Sequence, residues 1–352
     1  MPSLGMRFIK LLATFLIIIA LAAGGVLIWV NSEFSRPGPL VQDQIIAIPR
    51  GATSGGIAEI LATEGVVRSP AILRLRLRLQ EIDRSLKAGE YRFAAGSSIV
   101  DVIETLMKGP SVLRPLVIPE GLTVVEIFDI IQRTEFLNGI ISREPQEGTL
   151  LPETYFMTLN DNRDDLVYRM EKAMDALMDQ VWDKRISNLP FSTKKEALTL
   201  ASIVEKETGV ESERRRIAGV YISRLRRNMR LQADPTVAYG LAKGTAKLGK
   251  PLGRQLSLND LRTPTAYNTY TIDGLPPGPI TNPGRASIEA VLNPLETGDI
   301  YFVADGTGGH VFAKTLEEHN RNVARWRQLS RQPHKPVMPL SEKDREPAAP
   351  RP

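Results

Sequence analysis

The residue best placed to do chemistry is a carboxylate that closes a buried helical stripe. Thr193-Lys194-Lys195-Glu196 has the spacing of a capping box ahead of an apolar helix. Leu200, Ile203 and Val204 then recur at helical spacing, and Glu207 follows them at i+7, i+4 and i+3. Glu207 therefore prolongs the buried stripe. At 100° per residue Lys206 points away, and Glu205 falls on the opposite margin. Burial disfavours the charged form of a carboxyl and raises its pKa. A general acid working near neutral pH needs that shift. The plain alternative is a Glu-Lys-Glu surface turn that ends the helix before Gly209.

Other chemistries find little to use. The 352 residues contain no cysteine, which removes disulfide scaffolds, Cys-ligated zinc, iron–sulfur clusters and thiol catalysis together. His310, His319 and His334 are too scattered for a His-rich metal site, so no metal and no cofactor is expected. His310 follows Gly308-Gly309 and reads as a satisfied hairpin histidine, or as a residue facing a cleft. Gly244 with Gly249-Lys250 has P-loop spacing, but Pro251 stands where a Ser or Thr would hold magnesium. With 45 basic and 40 acidic residues the net charge is only +5, too weak to argue for nucleic acid.

Several elements must position Glu207. Leu11 to Val30 is a charge-free run of twenty residues, long enough as a helix to span about 30 Å. Arg7 and Lys10 precede it and Trp29 sits near its far end, which predicts a cytoplasmic N-terminus and an exported remainder. A cleaved signal peptide ending at Ala20-Leu21-Ala22 is the rival, but the apolar run continues past those alanines. Ser35 to Pro39 reads as a linker. A repeat follows: Ile48-Pro49-Arg50-Gly51-Ala52-Thr53, then Ile118-Pro119-Glu120-Gly121-Leu122-Thr123, each a strand end, a turn and a helix start. Gly89 to Phe93 reads as a strand and Ser98 as the start of another helix. Leu73 to Leu79 alternates Leu with Arg, as a strand would. Ser69-Pro70 nevertheless opens it as a helix, with Ile72, Leu75 and Leu79 as its stripe. Further on, a helix is expected from about Asp164 to Asn188, with a core-filling stripe that includes Met170, Met174 and Met178. Two more helices, a Pro/Gly-rich stretch over 263–283 and a hairpin near Ile300–Val303 and Val311–Phe312 complete the reading. The last 22 residues hold six prolines and read as a disordered tail.

Longer motifs carry a resemblance. Ala201-Ser202-Ile203-Val204-Glu205-Lys206-Glu207-Thr208, Arg230 to Thr236, Thr263 to Tyr270, Gly274 to Ile280 and Tyr301 to Gly306 resemble the YceG/MltG family of endolytic murein transglycosylases. A more distant likeness is to lysozyme-like lytic transglycosylases, through Glu207-Thr208, Met229-Arg230-Leu231-Gln232 and Ala266-Tyr267-Asn268-Thr269 in that order. Thr208 replaces that group's Ser, and its final Ala-Gly is missing. These resemblances imply an α+β chain: a transmembrane helix, a LysM-like α+β module, and a mainly helical lysozyme-like catalytic domain with a β-hairpin. The expected boundaries are a cytoplasmic N-terminus 1–10, membrane helix 11–30, linker 31–39, LysM-like repeat module 40–145, catalytic domain 146–330 and tail 331–352.

The resemblance also implies an activity. Glu207 would be the catalytic acid and base, and Gln232, Tyr267 and Asn268 would contact the glycan. The enzyme would cut the MurNAc–GlcNAc bond of nascent strands, leave 1,6-anhydroMurNAc ends and terminate strand elongation. It would sit in the inner membrane with its bulk in the periplasm, beside peptidoglycan synthases (penicillin-binding proteins). The competing expectation is a non-catalytic peptidoglycan-binding or division-machinery scaffold protein. A pure binder has no need of a carboxylate at the end of a buried stripe.

Overall fold

A computed structural model describes residues 4–49, 51–82, 86–109, 112–243 and 252–330. The Gly244–Pro251 motif and the expected tail lie outside the described residues. The architecture is α+β, with helices predominating over four small two-stranded sheets among the described residues. Contacts divide the chain into two compact units. The first holds residues 1–118, 130–142 and 154–166; the second holds 119–129, 143–153 and 167–352.

The first unit opens with α1 (Leu4–Ser35), one unbroken helix through the apolar run. At 1.5 Å per residue it is about 48 Å long. The side chains of Leu11, Ala13, Ala23, Val26 and Leu27 lie outside the description. Among the described residues, no helix is long and apolar enough to cross a membrane. Next come β1 (Gln44–Ile48), α2 (Ser54–Thr63), α3 (Pro70–Leu79), β2 (Gly89–Phe93) and α4 (Ile99–Lys108). β1 and β2 pair antiparallel, Gln44 opposite Phe93 and Ile48 opposite Gly89. Their inward residues Ile46, Ile48, Tyr91 and Phe93 meet Ile57 and Leu61 of α2 and Val102 and Leu106 of α4 in one core.

The local signals act as expected here. Thr53 accepts a hydrogen bond from Gly56 N at 3.1 Å, and Ser98 makes a reciprocal capping box with Asp101. The face of α3 differs from the expected stripe. Leu73 and Leu77 are buried, while Leu75 and Leu79 are exposed. Leucines at every second position offer two helical faces, and packing against α2 selects one.

β3 (Arg114–Val117), α5 (Val124–Arg133), β4 (Leu137–Asn138), β5 (Thr154–Met157), β6 (Asp161–Asn162) and α6 (Arg163–Trp182) follow. β3 pairs antiparallel with β5, and β4 pairs parallel with β6 over two residues. The second repeat is realised in kind: Thr123 and Glu126 form a capping box at the start of α5. α6 ends earlier than expected. Lys184 N and Arg185 N turn back to Val181 O and Trp182 O, and Ile186 N bonds to Leu292 O at 3.1 Å.

The second unit continues with α7 (Lys194–Glu207), α8 (Glu211–Arg226), α9 (Asp234–Lys243), α10 (Leu258–Arg262), α11 (Arg285–Leu292), β7 (Tyr301–Ala304), β8 (His310–Ala313) and α12 (Leu316–Ser330). Among the described residues four helices, not two, lie between α6 and the Pro/Gly-rich stretch. α9 is easily missed because Pro235 stands in its first turn, where the absent N–H costs nothing. Leu200, Ile203 and Val204 of α7, Ile217 and Tyr221 of α8, Ile288 and Val291 of α11, and Met174 and Met178 of α6 share the core. α8 passes so close to Leu295 that a Cβ on Gly219 would collide with its carbonyl oxygen. β7 and β8 form the expected hairpin, Tyr301 opposite Ala313.

Candidate active site

Glu207 is the last residue of α7. The capping box of Thr193 and Glu196 sets where that helix begins, and the fully buried Leu200, Ile203 and Val204 set which face turns inward. Inside the core, Tyr221 of α8 donates its hydroxyl proton to Glu207 Oε1 at 2.7 Å. Oε2 has no hydrogen-bond partner among the described residues. Burial pushes the Glu207 carboxyl up to about 7. The Tyr221 hydrogen bond opposes this, Asp234 adds to it by like-charge repulsion, and His310 and Arg224 draw it down. Burial, then the charge of Glu207, carries the Tyr221 phenol well above its ordinary value.

Arg224, one turn along α8, organises the surroundings. Its Nε donates to Ile300 O and its Nη1 to Leu231 O, both at 2.7 Å. It thereby ties the root of the hairpin and the 229–233 loop to the helix that carries Tyr221. The loop after it is fastened a second time through Thr269. Gln232 N donates to Thr269 O at 3.2 Å, Ala233 N to Thr269 Oγ1 at 2.9 Å, and the Thr236 and Thr269 hydroxyls lie 2.8 Å apart. This delivers Asp234, at the start of α9, to the field of Glu207, where Tyr270 donates to its Oδ1 at 2.6 Å. On the hairpin, His310 meets Glu213 of α8 through Nδ1 at 2.7 Å and through its backbone N at 2.9 Å. It also sets its ring edge-on to Phe302. Among the described residues no group of three His, Asp or Glu side chains could hold a metal ion.

The three expected glycan-contacting residues part ways. Gln232 is exposed in this loop, with a left-handed φ of 52°. A glutamine rarely holds that conformation unless its surroundings impose it, and such strain gathers at functional loops. Asn268 is fully buried. Its Nδ2 donates to Leu261 O and Thr263 O, and its Oδ1 accepts from Tyr270 N. The amide is thus used in shaping the 261–270 loop. Tyr267 is half-buried and faces a different neighbourhood. Its hydroxyl accepts from Lys243 Nζ at 3.1 Å and its ring lies edge-on to Tyr239 at 4.9 Å. Glu205 lies on the opposite margin of the stripe, and that margin is covered. Its side chain is only 6% exposed, accepts from Gly284 N at 2.9 Å, and faces Arg214 at 3.6 Å.

The sequence matches the family model of the YceG-like family over residues 46–325. The chain belongs to the YceG-like family. It is 30% identical to the endolytic murein transglycosylase of Bacillus subtilis over 308 residues, covering 78% of this chain and 82% of that one. It is 30% identical to the endolytic murein transglycosylase of Streptococcus pneumoniae serotype 2 over 328 residues, covering 79% of this chain. It spans 57% of the length of that longer relative. A crystal structure of a yceG-like protein from Listeria monocytogenes is 31% identical, covering 80% of this chain and 99% of that one with a TM-score of 0.48.

Tyr221, Arg224, Asp234 and Tyr270 were not singled out by sequence reasoning. One signal was available for Tyr221. It sits among the apolar Ile217, Ala218 and Ile222 of α8, and a buried tyrosine hydroxyl needs a partner. The others act through loop geometry that no periodicity reports.

Proposed function

We propose that this chain is a membrane-anchored endolytic lytic transglycosylase of peptidoglycan. The observation that carries the reading is Glu207: a carboxyl held near pKa 7 by burial, with one oxygen fixed by Tyr221 and the other open. At neutral pH such a group is present in both protonation states, so it serves as acid and then as base. Protonated Glu207 gives its proton to the glycosidic oxygen between MurNAc and GlcNAc. The resulting carboxylate takes the proton of the MurNAc C6 hydroxyl as that oxygen closes onto C1. One bond breaks, one forms, and the product is a 1,6-anhydroMurNAc end with no water consumed. Holding the C6 hydroxyl beside C1 supplies the advantage of an intramolecular reaction. Asp234, fixed by Tyr270, sets a negative charge close enough to act on Glu207, and such a charge favours the positive charge that develops on the sugar ring. The names of the B. subtilis and S. pneumoniae relatives support the same chemistry.

The charge-free residues 11–30 form the membrane anchor, with the N-terminus cytoplasmic and the bulk periplasmic. The unbroken helix α1 and its exposed Ile17, Leu21 and Ile28 support this. The strand–helix–helix–strand order of β1, α2, α3 and β2 supports a LysM-like glycan-binding module within residues 40–145. Anchoring keeps Glu207 near newly made strands, where cutting terminates elongation beside the synthases. The test is incubation of purified peptidoglycan with the chain and its Glu207→Gln variant. Soluble glycan fragments should appear only with the first, and equal release by both would reject the reading.

A further inference from the structure

One basic cleft of the second unit takes no part in the arrangement around Glu207. It opens between the C-terminal end of α6 and the first turns of α8 and α11, with a volume of about 560 Å³. Lys184, Arg214, Arg215 and Arg285 line it, against the two carboxylates of Glu211 and Glu289. Lys184 has no side-chain partner among the described residues. Arg285 reaches Gln180 and Glu289 only at 3.4 Å each.

Arg214 is the most informative member. Its side chain is 11% exposed, yet its nearest carboxylates, Glu205 and Glu120, stand at 3.6 and 3.9 Å, beyond hydrogen-bond distance. Its Nε is buried with no partner among the described residues. A guanidinium carries five donors, and a protein rarely buries one so poorly satisfied unless something else completes it. Guanidinium groups beside an ammonium select carboxylates or phosphates. The two glutamates in the lining favour a ligand that also carries an amino group, which a phosphate does not.

We propose that this cleft is a carboxylate-binding subsite for the acidic peptide stem of the glycan strand cut at Glu207. The inference rests on the transglycosylase reading for its substrate. The geometry suits it, because Glu211 follows Glu207 by four residues and their Cα atoms lie at most about 14 Å apart. A stem of three to five residues spans about 10–18 Å when extended. A stem carrying free carboxylates and an amine matches the mixed but net-positive lining.

The test uses the full chain in detergent and a Lys184→Glu/Arg285→Gln variant. Two substrates are compared: peptide-bearing glycan and the same glycan stripped of its peptides by an amidase. The variant should raise KM for peptide-bearing strands about tenfold, with kcat unchanged and stripped strands cut as before. Unchanged KM on peptide-bearing strands, or an equal loss on both substrates, overturns the proposal. A second arm titrates both proteins with the free tripeptide L-Ala-γ-D-Glu-diaminopimelate and with inorganic phosphate, followed by calorimetry. Tripeptide binding that the variant abolishes supports the subsite, and binding of phosphate alone overturns it. If the unaltered chain cuts neither substrate yet binds the tripeptide at this cleft, the transglycosylase reading fails while the carboxylate subsite stands.

Discussion

Two glutamates of the second unit are pushed to about 7 by burial, and they are held in different ways. Glu147 accepts from Val124 N at 2.6 Å, at the first residue of α5, and from Asn282 Nδ2 at 3.4 Å. Tyr239 also hydrogen-bonds to it, and Lys243 draws its pKa back down. Glu147 therefore completes the start of a helix and holds the 282 region, both through its Oε1. Glu207 has a single side-chain holder, and its other oxygen is open. A raised pKa is shared by both residues. What separates the two is the number of groups that hold them: among the described residues Glu147 has Val124 N, Asn282 Nδ2 and Tyr239, and Glu207 has Tyr221 alone.

The comparison can be broken most severely at Glu207. Replacing it with Gln should cut glycan cleavage by about 10³-fold, within the usual contribution of a general acid, and leave the melting temperature unlowered. Dye release from labelled peptidoglycan and thermal denaturation read the two effects. Loss of folding in that variant would make Glu207 a clamp like Glu147.

Asn268→Ala should act through structure. It leaves Leu261 O, Thr263 O and Tyr270 N without their partner, so stability should fall by about 1–3 kcal/mol in urea unfolding. Activity should fall as the loop carrying Tyr270 loosens. A variant of unchanged stability with a raised KM would give Asn268 a glycan-contacting role.

Tyr221→Phe sharpens the account of the Glu207 pKa. The hydroxyl favours the ionised carboxylate, so its removal should raise that pKa further. The rate should fall with rising pH as Glu207 loses its proton near 7. In the variant this alkaline limb should move up by about one pH unit, the worth of one hydrogen bond to a charged group. A limb that stays in place would show that another group sets it.

The smallest effect on activity belongs to Glu147→Gln, which should leave turnover within about twofold because the amide oxygen still accepts from Val124 N. Its signature lies in stability. A carboxyl whose folded pKa of about 7 exceeds the ordinary 4.5 keeps its proton in the folded state while the unfolded chain has lost it. Stability from this source is full below about 4.5 and is lost as pH rises to about 7. Glu147→Gln should flatten that decline between pH 4.5 and 7 in urea unfolding series, and an unaltered slope would contradict the clamp.

The parts of this site that were legible in the sequence are the local ones. The Thr193–Glu196 capping box and the Leu200, Ile203, Val204 stripe lead to Glu207 by helix geometry alone. Gly89–Phe93 and the Ser98 cap were equally plain, since turn and cap chemistry acts over three or four residues. The face of α3 was not, because its leucines satisfy two stripes and a tertiary neighbour chooses between them. The cover over Glu205 was not legible for a related reason. Helical angle puts it at the margin, but Arg214 and Gly284 N, nine and 79 residues away, cover that margin. Glu147 and Asp234 owe their environments to loops fastened by buried threonines and asparagines, and single-chain periodicity carries no record of such fastening.

The central claim is that Glu207 moves a proton and no water enters the product. Digestion of peptidoglycan by the full chain in H₂¹⁸O, followed by mass spectrometry of the released fragments, tests this most directly. The account predicts 1,6-anhydroMurNAc ends without ¹⁸O, absent from the Glu207→Gln digest. Reducing MurNAc ends carrying ¹⁸O would show hydrolysis and contradict it.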